Sequence, residues 1–349
     1  METPVFVALL LLGLVSIGHC FIDIDLCLGR CGSHVDHSKS CQCNHACTRY
    51  HDCCTDYHNT CSGGSHSVTT NNPGTFKPVQ IQNVDINSLT MATIADTLWG
   101  VDTDRFQTGE ITLNYGSKTH SGSHSDVSNQ PLFASVNEAR LQRPVYKAFL
   151  ALLDNYNPSR GVADPVSANE QIEINHFLDL IMATDVMKIT MQFLHKMGHF
   201  NGDEAAFRHT IERLWFRPYG RNPHGASDSS AFEHIFVGEF KGSSVGGFHS
   251  WLRFYLEEKS GNINYLGYMK RHDPLLIEFT FKWRNHFKKI DSFLVGDSPE
   301  FTMALDTICV LVHPGHLCHL KLANTAFSIQ TWDVTYMAGT QIASAYTIL

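Results

Sequence analysis

Residues 229–255 read SSAFEHIFVGEFKGSSVGGFHSWLRFY, and the fold of the second half of the chain turns on how this stretch is paired. Two apolar arms flank a loop rich in Gly and Ser, Lys241 to Gly247. That pattern predicts two extended segments and a hairpin with a wide connection. In an extended arm alternate side chains share a face. His234 is therefore expected beside Phe232 and Phe236, with Glu233, Ile235, Val237 and Glu239 on the other side. The hairpin would carry His234 and His249 into one neighbourhood, and two adjacent imidazoles can act as base and acid on one substrate. The chain holds 21 His, so the pair by itself says little.

After the hairpin, LIEFTFKW (276–283), SFLVG, HLKL, AFSIQT and QIASAYTI read as strands. Between them Ser298 and Pro299 open a helix expected from Glu300 to about Val310, since Ser caps and Pro fits the first turn. The residues before 229 have a different period. Tyr146, Phe149, Leu150 and Leu153 follow i, i+3, i+4, i+7 spacing, as do Ile174, Phe177, Leu178 and Ile181. Phe207, Ile211, Leu214 and Trp215 make a third stripe, with Asp203 placed to cap it. A mainly helical first half and an antiparallel β second half predict an α+β domain over 84–349. Cys309 and Cys318 flank a Pro-Gly turn and either pair across it or stay as two buried thiols.

Upstream the composition shifts twice. Residues 63–83 are rich in Gly, Ser, Thr, Asn and Pro, as a flexible linker is. Residues 21–62 hold eight of the 11 Cys, at 27, 31, 41, 43, 47, 53, 54 and 61. So short a segment cannot bury enough apolar surface to fold unaided, and disulfides would supply the missing stability. Residues 1–20 carry an apolar run from Val5 to Ile17, too short to span a bilayer and ending in small residues, which predicts a signal peptide. A secreted, extracellular protein without a membrane span follows, and dense cysteine fits that oxidising setting better than zinc. No Asn-x-Ser/Thr sequon with a permissible middle residue occurs.

FEHIFVGE, GGFHSWLRFYLEEKSG and SFLVGDSPEFTMAL, in that order, closely resemble the core of the EndoU family of uridylate-preferring endoribonucleases. PLFASVNEARLQRPVYKAFLALLDNY and the run from FLDLIMATDVM to LWFRPYGR are similar to its amino-terminal half. CLGRC, CQC and DCCTDYHNTC resemble the somatomedin B domain. Spacing alone leaves all of the roughly one hundred pairings of eight Cys open. The resemblance implies Cys27–Cys43, Cys31–Cys61, Cys41–Cys54 and Cys47–Cys53. It also implies a protein partner or a tethering role for the small domain, although Asn44 and Ala46 depart from the family's usual residues.

The EndoU resemblance implies single-stranded RNA cut at uridines by a monomer, with a 2′,3′-cyclic phosphate as product. His234 and His249 take the base and acid roles, His249 being the preferred base. The family lysine, counted back from Gly296, falls on Lys288 rather than Lys289. Thr331 and Tyr346 match positions near the base, and Glu233 and Glu239 match positions that support a histidine or contribute oxygen to Mn²⁺ or Ca²⁺. The other reading is a secreted binding or adhesion protein that keeps the EndoU domain as a scaffold. The chain's formal charge of -8 excludes a broadly basic nucleic-acid coat, so phosphate would have to be held by a local patch.

Overall fold

The computed structural model describes residues 31–32, 35, 41–50, 52–54, 61, 84–162, 165–220, 227–334 and 341–349. The chain divides into two units, Met1–Asn71 and Asn72–Leu349. In the first, Cys31–Cys61, Cys41–Cys54 and Cys47–Cys53 are disulfides, and Cys43, Cys47 and Cys54 are buried in place of an apolar core. The pairing of Cys27 with Cys43, the signal peptide and the linker fall outside the described residues.

The second unit begins with helices. These are α1 (Met91–Val101), α2 (Pro144–Ala151), α3 (Ala168–Met182), α4 (Asp185–Lys196) and α5 (Glu204–Phe216). Three of them, α2, α3 and α5, lie where the stripes predict them. Each start is marked chemically. Ser167, Thr184 and Asp203 accept the amides of Glu170, Met187 and Ala206, and Pro144 opens α2. A short ribbon of β1 (Ile111–Leu113) and β2 (Phe133–Val136) interrupts the helices.

The second half builds two sheets around α6 (Trp251–Lys259) and α7 (Pro299–Val312). The strands are β3 (Glu239–Lys241), β4 (Ser244–Gly246), β5 (Ile263–His272), β6 (Leu276–Trp283), β7 (His286–Leu294), β8 (Leu317–Leu322), β9 (Thr325–Val334) and β10 (Gln341–Ile348). One sheet has the order β3-β4-β7-β6-β5, the other β10-β9-β8. All pairings are antiparallel except β4 with β7, which meet in parallel at Ser244 and Phe287. The expected α+β class is therefore present.

Helix α7 is the hub. All of its residues from Pro299 to Val310 are buried except Thr302, with Glu300, Asp306 and Thr307 as the buried polar members. It packs against α1, α2, α4, β9 and β10, and Trp215 of α5 donates its indole N–H to Thr307 at 2.9 Å. Cys309 and Cys318 are joined, tying the end of α7 to β8. Burial pushes the carboxyl of Asp297, just before the helix, up to about 8.

The hairpin expected over 229–255 is much smaller than predicted. Only Glu239–Lys241 and Ser244–Gly246 pair, and Glu233–Val237 is a turn of π-helix. Phe232 and Phe236, four apart, suit a two-residue period and a helical one equally well. Ile235 settles the matter: Phe232, Ile235 and Phe236 are all buried, and alternation fails from Ala231 to Val237. The two phenylalanines enter a cluster with Phe149, Phe216 and Trp215. Burying each such ring contributes about 1.5–3 kcal/mol.

Candidate active site

The π-turn sets up the site through its backbone. Gly238 N donates to Glu233 O at 2.8 Å, closing the wide turn. The carbonyls of His234 and Ile235 then accept the amides of Phe248 and His249, at 2.9 and 2.7 Å. The second histidine is thus hydrogen-bonded onto the backbone of the first. This docking requires Gly247, whose φ is +59° and where a Cβ would lie 1.7 Å from the His234 carbonyl oxygen. Gly238 is equally constrained, because a Cβ there would meet the Phe248 ring at 2.3 Å. Ser250 then caps α6, accepting the Arg253 amide.

The two imidazole centroids lie 6.2 Å apart. Each ring is tied at Nδ1 to a buried carboxylate. His234 Nδ1 is 3.1 Å from Glu239 Oε2, and His249 Nδ1 is 2.6 Å from Asp291 Oδ1. A carboxylate only accepts, so Nδ1 carries the proton in both rings and Nε2 is the working nitrogen. Glu239 therefore does not face away from His234, as alternation along a strand predicts. The π-turn ends at Val237, and the chain reverses at Gly238 to bring the carboxylate back. The other Glu239 oxygen accepts the Ser229 hydroxyl, and Arg160 lies 3.7 Å from Oε2.

Lys288 is buried and donates to the Gly247 carbonyl, while Lys289 is exposed. Burial lowers the Lys288 ammonium pKa, and Asp291 and Glu239 oppose that shift. The pairing of β6 with β7 explains the arrangement. Phe279 pairs with Asp291 and Phe281 with Lys288, so β7 spends one residue more than β6 between these points. This bulge turns Lys289 and Ile290 both outward and leaves Lys288 and Asp291 both inward, three residues apart. Burial also lowers the His249 pKa, with Lys288 adding to the effect and Asp291 opposing it.

Tyr346 on β10 stacks on His249, with centroids 5.1 Å apart and planes at 27°. Thr331 is elsewhere. It pairs with Ala345, so it shares the face opposite Tyr346. Its hydroxyl is engaged by the α7–β8 turn, with the carbonyls of His313 and His316 at 2.7 and 3.0 Å. Glu233 is buried and lines a cavity with Tyr156 and Ile174, which neither histidine lines. The structure thus brings together His234, His249, Lys288, Glu239 and Tyr346 and leaves out Thr331 and Glu233. The residues that sequence reasoning misses are Asp291, visible only once the bulge is known, and Ser344, which lies two residues from Tyr346 on the same face.

A family model described as Endoribonuclease XendoU matches residues 90–347, and one for the Somatomedin B domain matches residues 25–64. The chain belongs to the XendoU endoribonuclease family. It is 34% identical over 347 residues to the mouse (Mus musculus) uridylate-specific endoribonuclease, covering 96% of this chain and 81% of that one. Over 267 residues it is 39% identical to uridylate-specific endoribonuclease C of Xenopus laevis, covering 73% and 88%. The solved structure of XendoU, a splicing-independent snoRNA-processing endoribonuclease, superposes with a TM-score of 0.63. That match is at 32% identity over 74% of this chain and 96% of that one.

The metal that the EndoU resemblance implies finds no cage here. Among the described residues no three His, Cys, Asp or Glu side chains are grouped to hold an ion. Both oxygens of Glu239 are engaged by Ser229 and His234, and Asp291 Oδ1 holds His249 and the Ser292 amide. Asp291 Oδ2 is buried with no hydrogen-bond partner, but among the described residues it is not grouped with two further His, Cys, Asp or Glu side chains, as a Mn²⁺ or Ca²⁺ cage of oxygen donors would need. Among the described residues no helix is long and apolar enough to cross a membrane.

Proposed function

We propose that this chain cleaves single-stranded RNA on the 3′ side of uridines, using the RNA's own 2′-hydroxyl as nucleophile. The observation that carries the proposal is the pair of imidazoles, each fixed at Nδ1 by a buried carboxylate, with one buried lysine beside them. His249 Nε2 takes the proton of the 2′-hydroxyl, whose oxygen attacks phosphorus. The bond from phosphorus to the 5′-oxygen breaks as His234, in its imidazolium form with Nδ1–H held by Glu239, gives its Nε2 proton to that oxygen. Lys288 stabilises the charge that develops on the phosphorane. The products are a 2′,3′-cyclic phosphate and a free 5′-hydroxyl. Tyr346 stacks on the uracil ring or its ribose, and the Ser344 hydroxyl, on the same face, bonds the uracil edge. The expectation that Thr331 plays this part is set aside, since its hydroxyl is already engaged.

An oligonucleotide with one uridine tests the scheme. DNA, and RNA methylated at that 2′-oxygen, should resist cleavage, and mass spectrometry of the 5′ fragment should show a cyclic phosphate. A fragment with a free 3′-hydroxyl means water attacked instead, and the two-histidine scheme fails.

Burial supports His249 as the base, since it lowers the imidazole pKa and so favours the neutral, proton-accepting form. Protonation of a base abolishes its action, so activity is lost as pH falls through the His249 pKa. The acidic limb of kcat/KM should therefore lie below about 6.5, the unperturbed value. A limb well above that value would assign the base elsewhere.

Secretion rests on the apolar segment within residues 1–20 and on the cysteine content, and four disulfides among the described residues suit an oxidising compartment. The somatomedin B domain is assigned a protein partner. All the proposed catalytic groups lie in one chain, so a monomer suffices.

A further inference from the structure

We propose that Arg160, on the loop between α2 and α3, is a positioning residue for the acid: its guanidinium lies against Glu239 and sets how tightly that carboxylate holds the proton of His234. The proposal rests on the RNA-cleaving reading above.

The loop is built to deliver this side chain. Asn157 Oδ1 accepts the Ser159 amide at 3.0 Å, as in an Asx turn. The Phe240 amide donates to the Pro158 carbonyl at 2.6 Å and the Arg160 amide to the Phe240 carbonyl at 3.4 Å, so Ser159 runs beside β3 in parallel. Gly161, with φ at +87°, then gives its amide to Asp228 Oδ2 at 2.7 Å. The backbone on both sides of Arg160 is thus tied to the two segments that frame Glu239. One is β3, which carries it, and the other is Asp228–Ser229, whose serine hydroxyl it accepts. Ser159 is exposed, and Arg160, one residue on, turns in toward the carboxylate.

Glu239 makes its hydrogen bonds without Arg160: Oε2 holds His234 and Oε1 accepts the Ser229 hydroxyl. Arg160 Nε lies 3.7 Å from Oε2, too far for a hydrogen bond, so what reaches the carboxylate is charge. The Glu239 side chain is 1% exposed and that of Arg160 22%, which leaves this charge only partly screened. In the proposed reaction His234 alternates between imidazolium and imidazole. In the first form Glu239 lies between two cations, and Arg160 weakens its hold on the proton. An acid works best with a pKa near the working pH, and a buried carboxylate serving the imidazolium alone would hold the proton too tightly. Other charged or titratable groups face this part of the site. Lys288 comes from β7 and is attracted by Glu239, His249 has its centroid 6.2 Å away, and Tyr346 of β10 stacks on His249. Lys288 and Asp291 also act on His249, so Arg160 is the charge whose removal changes His234 with least effect on the proposed base.

The test reads the His234 ring itself, by NMR titration of its imidazole in the RNA-free full chain, alongside the pH profile of kcat/KM on an oligonucleotide with one uridine. Arg160→Gln removes the charge and should raise the His234 pKa by about half to one pH unit, the scale of one partly screened charge. The basic limb of kcat/KM should move up with it, since the acid acts protonated and activity is lost as pH rises through its pKa. A more tightly held proton makes a weaker acid, so kcat should fall a few-fold while KM changes less. Arg160→Lys keeps the charge and should bring both the titration and the limb back toward the parent. An unmoved titration overturns the proposal: with a lowered melting temperature Arg160 is a structural residue, and with a raised KM it is a phosphate contact. A Gln variant that fails to fold overturns it too. Protein that shows the titration shift yet leaves the uridine oligomer uncut sinks the cleavage reading instead.

Discussion

Replacing His249 with alanine is expected to slow single-turnover cleavage at uridine by roughly two to four orders of magnitude, the scale of losing general base help. His234→Ala should cost a similar factor, since in the proposed scheme each ring moves one of the two protons. Neither change should unfold the protein. Both side chains keep part of their surface accessible, and what docks the two segments is backbone: Phe248 and His249 amides on the His234 and Ile235 carbonyls. The checks are cleavage rates alongside thermal melts. Near-normal turnover in either variant, or loss of the folding transition, would return that histidine to a packing role. His249→Ala also frees Asp291, a carboxylate only 2% exposed, so a modest fall in melting temperature is expected there.

Lys288→Ala should lower turnover by about two orders of magnitude, by analogy with losing one oxyanion donor at about 3 kcal/mol. Lys289→Ala should stay within a few-fold, because that side chain is exposed and the β7 bulge turns it away from Asp291. Arginine at 288 should rescue only partly. The ammonium sits in a buried slot against the Gly247 carbonyl, and a planar guanidinium cannot occupy the same place. The two alanine variants are compared on one uridine substrate under single-turnover conditions. The reverse ranking would move the site to Lys289, and equal mild losses would remove lysine from the scheme.

The fold class and most elements of the long domain are legible in the sequence because their signals are local. Asp203 caps α5 as its position predicts, and Ser298 with Pro299 opens α7. The apolar stripes of α2, α3 and α5 and the strands from 276 to 348 lie where periodicity puts them. Three of the somatomedin B disulfides match the pairing that the cysteine words imply. At 229–255 local pattern is ambiguous, since Phe232 and Phe236 satisfy both periods, and burial against Phe149, Phe216 and Trp215 decides for helix.

By itself the sequence determined which residue types could perform the chemistry: two histidines, a lysine and a tyrosine in recognisable words. Only the tertiary structure decided their partners. Glu239 reaches His234 because the chain reverses at Gly238, and Asp291 reaches His249 because one extra residue in β7 breaks the alternation that would turn it away from Lys288. Thr331 looks suited to bond a base until the fold engages its hydroxyl at the α7–β8 turn, and Ser344, which the sequence does not single out, is placed beside Tyr346 only by strand register. Periodicity says which residues share a face of one element. Bulges, register and turn geometry say which faces meet, and these depend on pairings between segments distant in the chain.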